Sequence, residues 1–353
     1  MTKNICTVLL ITYNHQKYIR QSIDSVLQQK TKYPFIIKIF DDASTDGSSD
    51  IIREYANKYP GKIEAHIAKK NRGAQTNIWN AYKSVDTKYC CLLETDDYWC
   101  DDTKLEQQIS ALEEHPECSF CAHQTLVHNV NDKYRSDEDG FKSVTNDFVL
   151  KSDVVSLSHI KHQPVGSGYI PFIGSRLIRM SLVDLDAIKH KEAFLFDNSQ
   201  FYYMLLKGDM YFINKVMSVY NQTGSGVCSG TNPYNRISAY IDALMDFNKE
   251  TNGVIQERIF LEIHFYISYN FCLLHKQSTA PTKPIYLHGY FLGLPIFKLL
   301  DNANNVRFRK LWGLVNLVYN PNKMKLALAG VPVLDIERRF QNVRKNGYSK
   351  TSL

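Results

Sequence analysis

Over its first 125 residues the chain alternates apolar runs of strand length with stretches of helical periodicity, and this beat restricts the fold more than any other feature. Cys6 to Ile11 is a continuous apolar run. Tyr18 to Gln29 then places Ile19, Ile23, Val26 and Leu27 at helical spacing. Phe35 to Phe40 is a second strand, followed by the turn-rich segment Asp41-Asp42-Ala43-Ser44-Thr45-Asp46-Gly47 and a helix from Ser48 to Tyr59. The pattern continues with strands at Lys62–Ala68, Lys88–Leu93 and Cys118–Val127, and helices at Thr76–Val85 and Asp101–Glu114. Strands separated by helices through short connections predict an α/β fold, with a mixed, mainly parallel, Rossmann-like sheet flanked by helices.

In such a sheet ligands bind beyond the carboxyl ends of the strands. Polar residues gather at those ends: Thr12-Tyr13-Asn14 after the first strand, Asp41-Asp42 after the second, and Glu94-Thr95-Asp96-Asp97 after the fourth. Adjacent carboxylates beyond a buried strand repel each other unless a cation lies near them. Oxygen ligands of this kind suit Mg²⁺ or Mn²⁺. The competing reading of Asp96-Asp97 is a helix-start cluster ahead of Asp101-Asp102, but the two other polar clusters on the same rim favour a site.

These segments resemble a known family. Val8-Leu9-Leu10-Ile11-Thr12-Tyr13-Asn14, with Ser22-Ile23-Asp24-Ser25-Val26-Leu27-Gln28-Gln29 behind it, is similar to the opening of family 2 inverting glycosyltransferases. Asp41 to Gly47 matches that family's Asp-Asp-x-Ser-x-Asp-Gly turn, Asn71-Arg72-Gly73 and Asn77 continue the match, and Glu94 to Asp97 stands at its Asp-x-Asp signature. The resemblance implies a GT-A fold and a nucleotide-sugar donor, with a UDP-sugar favoured. It assigns Thr12, Tyr13, Asn14, Asp41, Asp42, Arg72, Asn77 and Asp96 to the donor, and Asp97 to Mn²⁺ or Mg²⁺. In detail, Tyr13 would flank the base and ribose, Asp42 would accept a hydrogen bond from the base, Asp41 would support the turn, and Arg72 would meet the diphosphate. Tyr98 and Trp99, directly after the acidic cluster, are acceptor-side candidates.

Inverting transfer also requires a base to take the acceptor hydroxyl proton. The stretch Phe196-Asp197-Asn198-Ser199-Gln200-Phe201 resembles the family's later acidic motif, which makes Asp197 the candidate base; its alternative role is to cap the following helix. One departure follows: where many members have Tyr-Arg-x-His, this chain has Tyr220-Asn221-Gln222-Thr223. The glycine-rich Gly224 to Ser229 beyond it is a candidate lid.

The expected organisation is a catalytic domain over 1–230, with a nucleotide-sugar half (1–125) and an acceptor half (126–230), then a helical, basic region over 231–353. Asn129 to Lys161 reads as a hairpin or loop over the site. The formal charge is +6, yet Asn304 to Leu353 alone carries ten Lys/Arg against Asp335 and Glu337. With Leu311, Trp312 and Leu314 beside Arg307, Arg309 and Lys310, that region suits an anionic membrane surface. The acceptor is expected to be a glycan or lipid-linked sugar in bacterial surface polysaccharide synthesis. No nucleic-acid partner is expected. Ile5 to Ile11 is too short for a signal segment and the eight cysteines show no framework spacing, which predicts a cytoplasmic location, peripheral to the membrane at most. Cys118 and Cys121 read as core residues rather than zinc ligands. The alternatives are a nucleotidyltransferase acting on a sugar phosphate, or a glycan-binding protein with a decayed site. The first wants a glycine-rich basic loop where Thr12-Tyr13-Asn14-His15 stands, and the second predicts broken acidic motifs.

Overall fold

The computed structural model describes residues 3–130, 141–143, 153–161, 170–223 and 233–255, with 258, 259, 262, 288–291 and 294–297 beyond them. The first unit, Met1–Glu262, is built on one ten-stranded sheet. β1 (Cys6–Thr12), β2 (Phe35–Asp41), β3 (Ile63–Ile67) and β4 (Tyr89–Glu94) form its parallel half in the order β3-β2-β1-β4. All seven residues of β1 are buried. This explains its unbroken apolar run, because a central parallel strand has helices on both faces.

The helices between these strands supply the cover: α1 (Ile19–Leu27), α2 (Ser48–Lys58) and α3 (Ala74–Lys83), then α4 (Lys104–Glu114) after a short strand, β5 (Tyr98–Trp99). Ile19, Ile23 and Val26 of α1 and Leu105, Ile109 and Leu112 of α4 are buried in one core with Val8, Leu10, Ile37 and Leu93.

The second half of the sheet is mixed. β6 (Cys118–Asn129) runs parallel to β10 (Asp209–Gln222), and β9 (Leu177–Arg179) lies antiparallel between β4 and β6. β5 pairs antiparallel with β10, so Trp99 lies opposite Ser218. β7 (Phe141–Ser143) pairs with β6 and β8 (Val154–Val155) with β10, followed by α5 (Leu157–Lys161). The described parts of 129–161 are thus stitched to the sheet edge. Two helices, α6 (Glu192–Leu195) and α7 (Asp197–Leu205), precede β10. The turn from α7 into β10 needs Gly208, because a Cβ there would sit 2.6 Å from the Glu117 carbonyl oxygen.

α8 (Pro233–Glu250) begins the helical region expected beyond residue 230. Among the described residues of the second unit, Ile263–Leu353, the elements are two antiparallel strands, β11 (His288–Phe291) and β12 (Leu294–Phe297). The apolar stretch Ile285–Leu300 was expected to be part of a helical region. An apolar run does not by itself separate strand from helix, and Gly289, Gly293 and Pro295 weigh against a helix here. The glycine-rich segment 224–229 and the basic C-terminal tail lie outside the described residues. Among the described residues no helix is long and apolar enough to cross a membrane.

Candidate active site

The register of the parallel half brings the polar clusters to one rim. Thr12 lies opposite Asp41, and Ile11 lies opposite Glu94. Backbone bonds hold the three strand ends level: Asp42 N–H donates to Thr12 O at 3.1 Å and Thr95 N–H to Ile11 O at 2.9 Å. Two non-glycine residues at this rim, Asn14 (φ 59°) and Ala43 (φ 62°), occupy the left-handed region. An alanine there costs about 1–2 kcal/mol, and such strain concentrates at functional sites.

The first two clusters interlock. Asp41 Oδ1 accepts from Ser44 Oγ–H at 2.5 Å and from Ser44 N–H at 3.1 Å, while Oδ2 accepts from Ser49. Asp41 therefore shapes the turn. Asn14 has a bracing role: its N–H donates to Ser44 Oγ, and its Oδ1 accepts from Thr45 N–H, both at 2.8 Å. Asp42 accepts the N–H groups of Arg72 and Gly73, both at 2.8 Å. Gly73 sits at φ 87°, a conformation that leaves its amide free to point back at the carboxylate. The Arg72 side chain is exposed, on a backbone that Asp42 pins. Asn77 is buried and donates Nδ2–H to Phe40 O at 3.0 Å, so it ties α3 to β2 beneath the rim. Tyr13 is 45% exposed, and its ring stands at the surface above these loops.

The third cluster is acidic and crowded. One carboxylate oxygen from each of Glu94, Asp96 and Asp97 lies within 4.8 Å of the others, and these are the residues able to group around a metal among those described. Burial, and then the charges of Asp96 and Asp197, push the Glu94 carboxyl up to about 8. Burial, and then Asp96 and Glu94, raise Asp97 well above the usual carboxylate range, against the Asn221 amide. Asp96 is raised by burial and relieved in part by His15. Asp96 Oδ1 is buried and has no hydrogen-bond partner. An orphaned carboxylate oxygen amid two other carboxylates, with hard oxygen donors throughout, fits a divalent cation.

Residues that sequence reading did not single out complete the cluster. His15 Nδ1 is 2.9 Å from Thr95 Oγ1 and 3.9 Å from Asp96 Oδ1. Asn221 on β10 donates its N–H to Asp97 Oδ1 at 2.8 Å and its Nδ2–H to Asp96 O at 2.6 Å. The signal for Asn221 was its place in the departure from the family's Tyr-Arg-x-His pattern. Thr12 is buried and its Oγ1 has no partner, so that atom serves neither turn nor sheet.

Asp197 is the first residue of α7, where a negative charge faces the positive end of the helix. Phe196 occupies the cap position and makes no side-chain cap bond. Asp197 stays partly exposed, and its charge bears on Glu94. The fold thus brings the candidate base to the acidic cluster across a hundred residues of chain. Burial raises the Asp197 carboxyl, and the buried Arg176 opposes that rise.

Trp99 is corrected. It is 4% exposed, packs in the core beneath Lys104 Nζ at 4.1 Å from its ring centre, and donates its backbone N–H to Ser25 Oγ. Successive strand residues face opposite sides, so only Tyr98 of the pair reaches the accessible face, where it is half-buried. Cys118 and Cys121 are buried in the core. Among the described residues they join no metal-binding group.

The sequence profile of glycosyl transferase family 2 matches residues 7–161. Residues 7–161 are thus similar to the family 2 glycosyltransferase domain. The family 2 stretch is 37% identical over 121 residues to the uncharacterized protein Rv1520 of Mycobacterium tuberculosis, covering 34% of this chain and 35% of that one. It is 34% identical over 118 residues to the putative teichuronic acid biosynthesis glycosyltransferase TuaG of Bacillus subtilis, covering 33% and 45%. To the dTDP-rhamnosyl transferase RfbG of Shigella flexneri it is 33% identical over 107 residues, covering 29% and 36%. The chain thus spans between about a third and a half of the length of these relatives. The fold extends further than the family 2 match. Staphylococcus aureus TarS 1–349 in complex with UDP-GlcNAc superposes with a TM-score of 0.57 over 97% of this chain and 92% of its own, at 14% identity. The mannosyltransferase PcManGT from Pyrobaculum calidifontis, in complex with GDP-Man and Mn²⁺, gives 0.50 over 98% and 89%, also at 14% identity. The architecture is therefore GT-A.

Proposed function

We propose that the chain is an inverting glycosyltransferase that moves a sugar from a nucleotide-sugar donor to a glycan or lipid-linked acceptor in bacterial surface polysaccharide synthesis. The observation that carries this reading is the meeting of two separate pieces of chain: the Glu94-Asp96-Asp97 cluster at the end of β4, and Asp197 at the start of α7, within Coulombic reach of Glu94. The family 2 domain and the surface-polysaccharide relatives TuaG and RfbG support the substrate class. A UDP-sugar is the favoured donor, in keeping with the UDP-GlcNAc bound by TarS.

Asp97 would hold Mn²⁺ or Mg²⁺, with Asp96 and Glu94 beside it. The bound ion supplies positive charge to the departing diphosphate. The exposed Tyr13 ring flanks the base, and Asp42 presents the Arg72-Gly73 segment to the donor. Asp197 takes the proton of the acceptor hydroxyl as its oxygen attacks the anomeric carbon from the face opposite the leaving group, which inverts the configuration. A carboxylate whose proton affinity is raised by its surroundings is the stronger base for that transfer. We extend the proposal to the location: a cytoplasmic protein whose basic C-terminal region meets the membrane surface. Absence of flotation with anionic liposomes at low salt contradicts that part.

A thermal-shift screen of UDP-, GDP- and dTDP-sugars with and without Mn²⁺ tests the reading. One donor is expected to stabilise the protein only when Mn²⁺ is present. Equal shifts in EDTA, or none with any donor, contradict it.

A further inference from the structure

Arg176 is 1% exposed, among the most deeply buried large side chains described. It follows the short 3₁₀ turn Ile173–Ser175 and enters β9. Its guanidinium has three engagements. Nε–H and Nη2–H both donate to the Pro171 carbonyl, at 3.1 and 2.6 Å, and Nη1–H donates to Gln200 Oε1 at 3.1 Å. Gln200 lies on α7, three residues beyond Asp197, and is itself fixed by donating to Tyr82 Oη at 3.0 Å and Phe194 O at 3.2 Å. The fork therefore holds the segment before β9 against the first turn of the helix that carries Asp197.

That same segment reaches the other half of the site. Phe172, next to Pro171, stacks on Tyr220 with ring centres 5.1 Å apart. Tyr220 precedes Asn221, whose amide holds Asp97. A continuous set of contacts thus links the residue beside the acidic cluster to the start of α7, and Arg176 stands at its centre.

The choice of arginine is informative. A carbonyl and a neutral amide could both be satisfied by a neutral donor, which would avoid burying a charge at a cost of several kcal/mol. Among the described residues, Asp197 is the carboxylate whose charge acts on Arg176, joined by the phenols of Tyr82 and Tyr240. A buried cation is retained most economically where its charge is used.

We propose that Arg176 is a positioning residue for the transfer reaction, which orients the first turn of α7 and so sets where Asp197 stands. The inference rests on the reading of Asp197 as the base. Arg176 is buried and acts through Asp197.

The test is a double-mutant cycle on the full chain with Arg176→Gln, Arg176→Lys, Asp197→Asn and the double variant R176Q/D197N. Arg176→Gln is expected to lower kcat by about 10- to 100-fold, with UDP affinity in Mn²⁺ unchanged within about twofold. Arg176→Lys, which keeps the charge and loses the fork, is expected to recover part of the rate. In the Asp197→Asn background, Arg176→Gln is expected to cost almost nothing further, because the group it serves is gone. An equal loss in both backgrounds, or a loss of UDP affinity, overturns the proposal.

Thermal unfolding supplies a readout that needs neither activity nor a folded Arg176 variant. Gln200→Ala removes the buried acceptor of the Arg176 Nη1–H and is expected to lower the melting midpoint by about 2–4 °C or more. An unchanged midpoint overturns the bridge from Arg176 to α7. If the unaltered protein transfers no sugar from any donor, the catalytic reading of Asp197 fails, while the midpoint of Gln200→Ala still decides whether the fork holds α7.

Discussion

Asn221 holds Asp97 from 124 residues away, through a 2.8 Å bond from its backbone N–H to Oδ1 of the carboxylate, while its side-chain amide reaches the Asp96 carbonyl at 2.6 Å. One residue of β10 thus fixes both the orientation of the acidic side chain and the path of the turn that presents it. The contact accounts for a departure from the family pattern: asparagine here supplies a short, neutral, two-pronged brace.

Asn221→Ala removes the bond to Asp96 O and keeps the backbone bond to Asp97. The buried carbonyl left without its donor costs about 1–3 kcal/mol, so the melting midpoint is expected to fall by several degrees. Mn²⁺ affinity, followed by calorimetry, is expected to weaken by about 10-fold as the turn loosens, in line with other residues that orient metal ligands.

The acidic cluster is expected to make stability depend on pH and, with the proposed ion, on metal. In the folded protein Glu94 keeps its proton up to about 8, against an ordinary 4.5, and Asp96, Asp97 and Asp197 are raised in the same sense. In that interval the folded chain binds protons that the unfolded chain has released, so stability falls as pH rises. His123 is buried and held well below its ordinary 6.5, which works in the opposite sense on the acid side of that value. The window in which the carboxylates act unopposed by it is therefore about 6.5 to 8. The midpoint of the metal-free protein is expected to drop across this window. Mn²⁺, bound by the ionised carboxylates as proposed, is expected to raise the midpoint more at the upper end than at the lower. Asp97→Asn is expected to abolish most of that gain, and an Mn²⁺ effect that is flat with pH contradicts the assignment.

Tyr13 and Trp99 are expected to respond in opposite ways to truncation. Tyr13 is 45% exposed, so Tyr13→Ala leaves the midpoint nearly unchanged while nucleotide affinity drops, since stacking on a base is worth about 1–3 kcal/mol. Trp99 lies in the core under Lys104, so Trp99→Ala costs about 3–5 kcal/mol of stability. Chemical denaturation and UDP titration of the two variants separate the roles.

The parallel half of the sheet could be read from residue order because each of its strands is a run of at least five residues flanked by a helix with its own period. The rim positions of Asp41 and Glu94 follow from the same logic. Other parts left a weaker trace. β5 is two residues and β9 is three, too short to show alternation, yet their pairing with β10, β4 and β6 decides which way Tyr98 and Trp99 face. Arg176 carried no signal, since a lone arginine in an apolar stretch reveals neither its burial nor its partner. Asn14 and Asn77 lie at and beneath the rim, and their side chains brace a loop and a strand end. Only the three-dimensional contacts distinguish a residue that holds a site from one that touches its ligand.

The central claim is that Asp197 removes the acceptor proton at a site whose donor half is built by Asp97 and its neighbours. The most direct measurement is the rate of sugar transfer by Asp197→Asn at saturating Mn²⁺, alongside its affinity for UDP. The account predicts a loss of about 10²- to 10⁴-fold in kcat with UDP binding preserved. A variant that transfers sugar at the rate of the unaltered protein contradicts it.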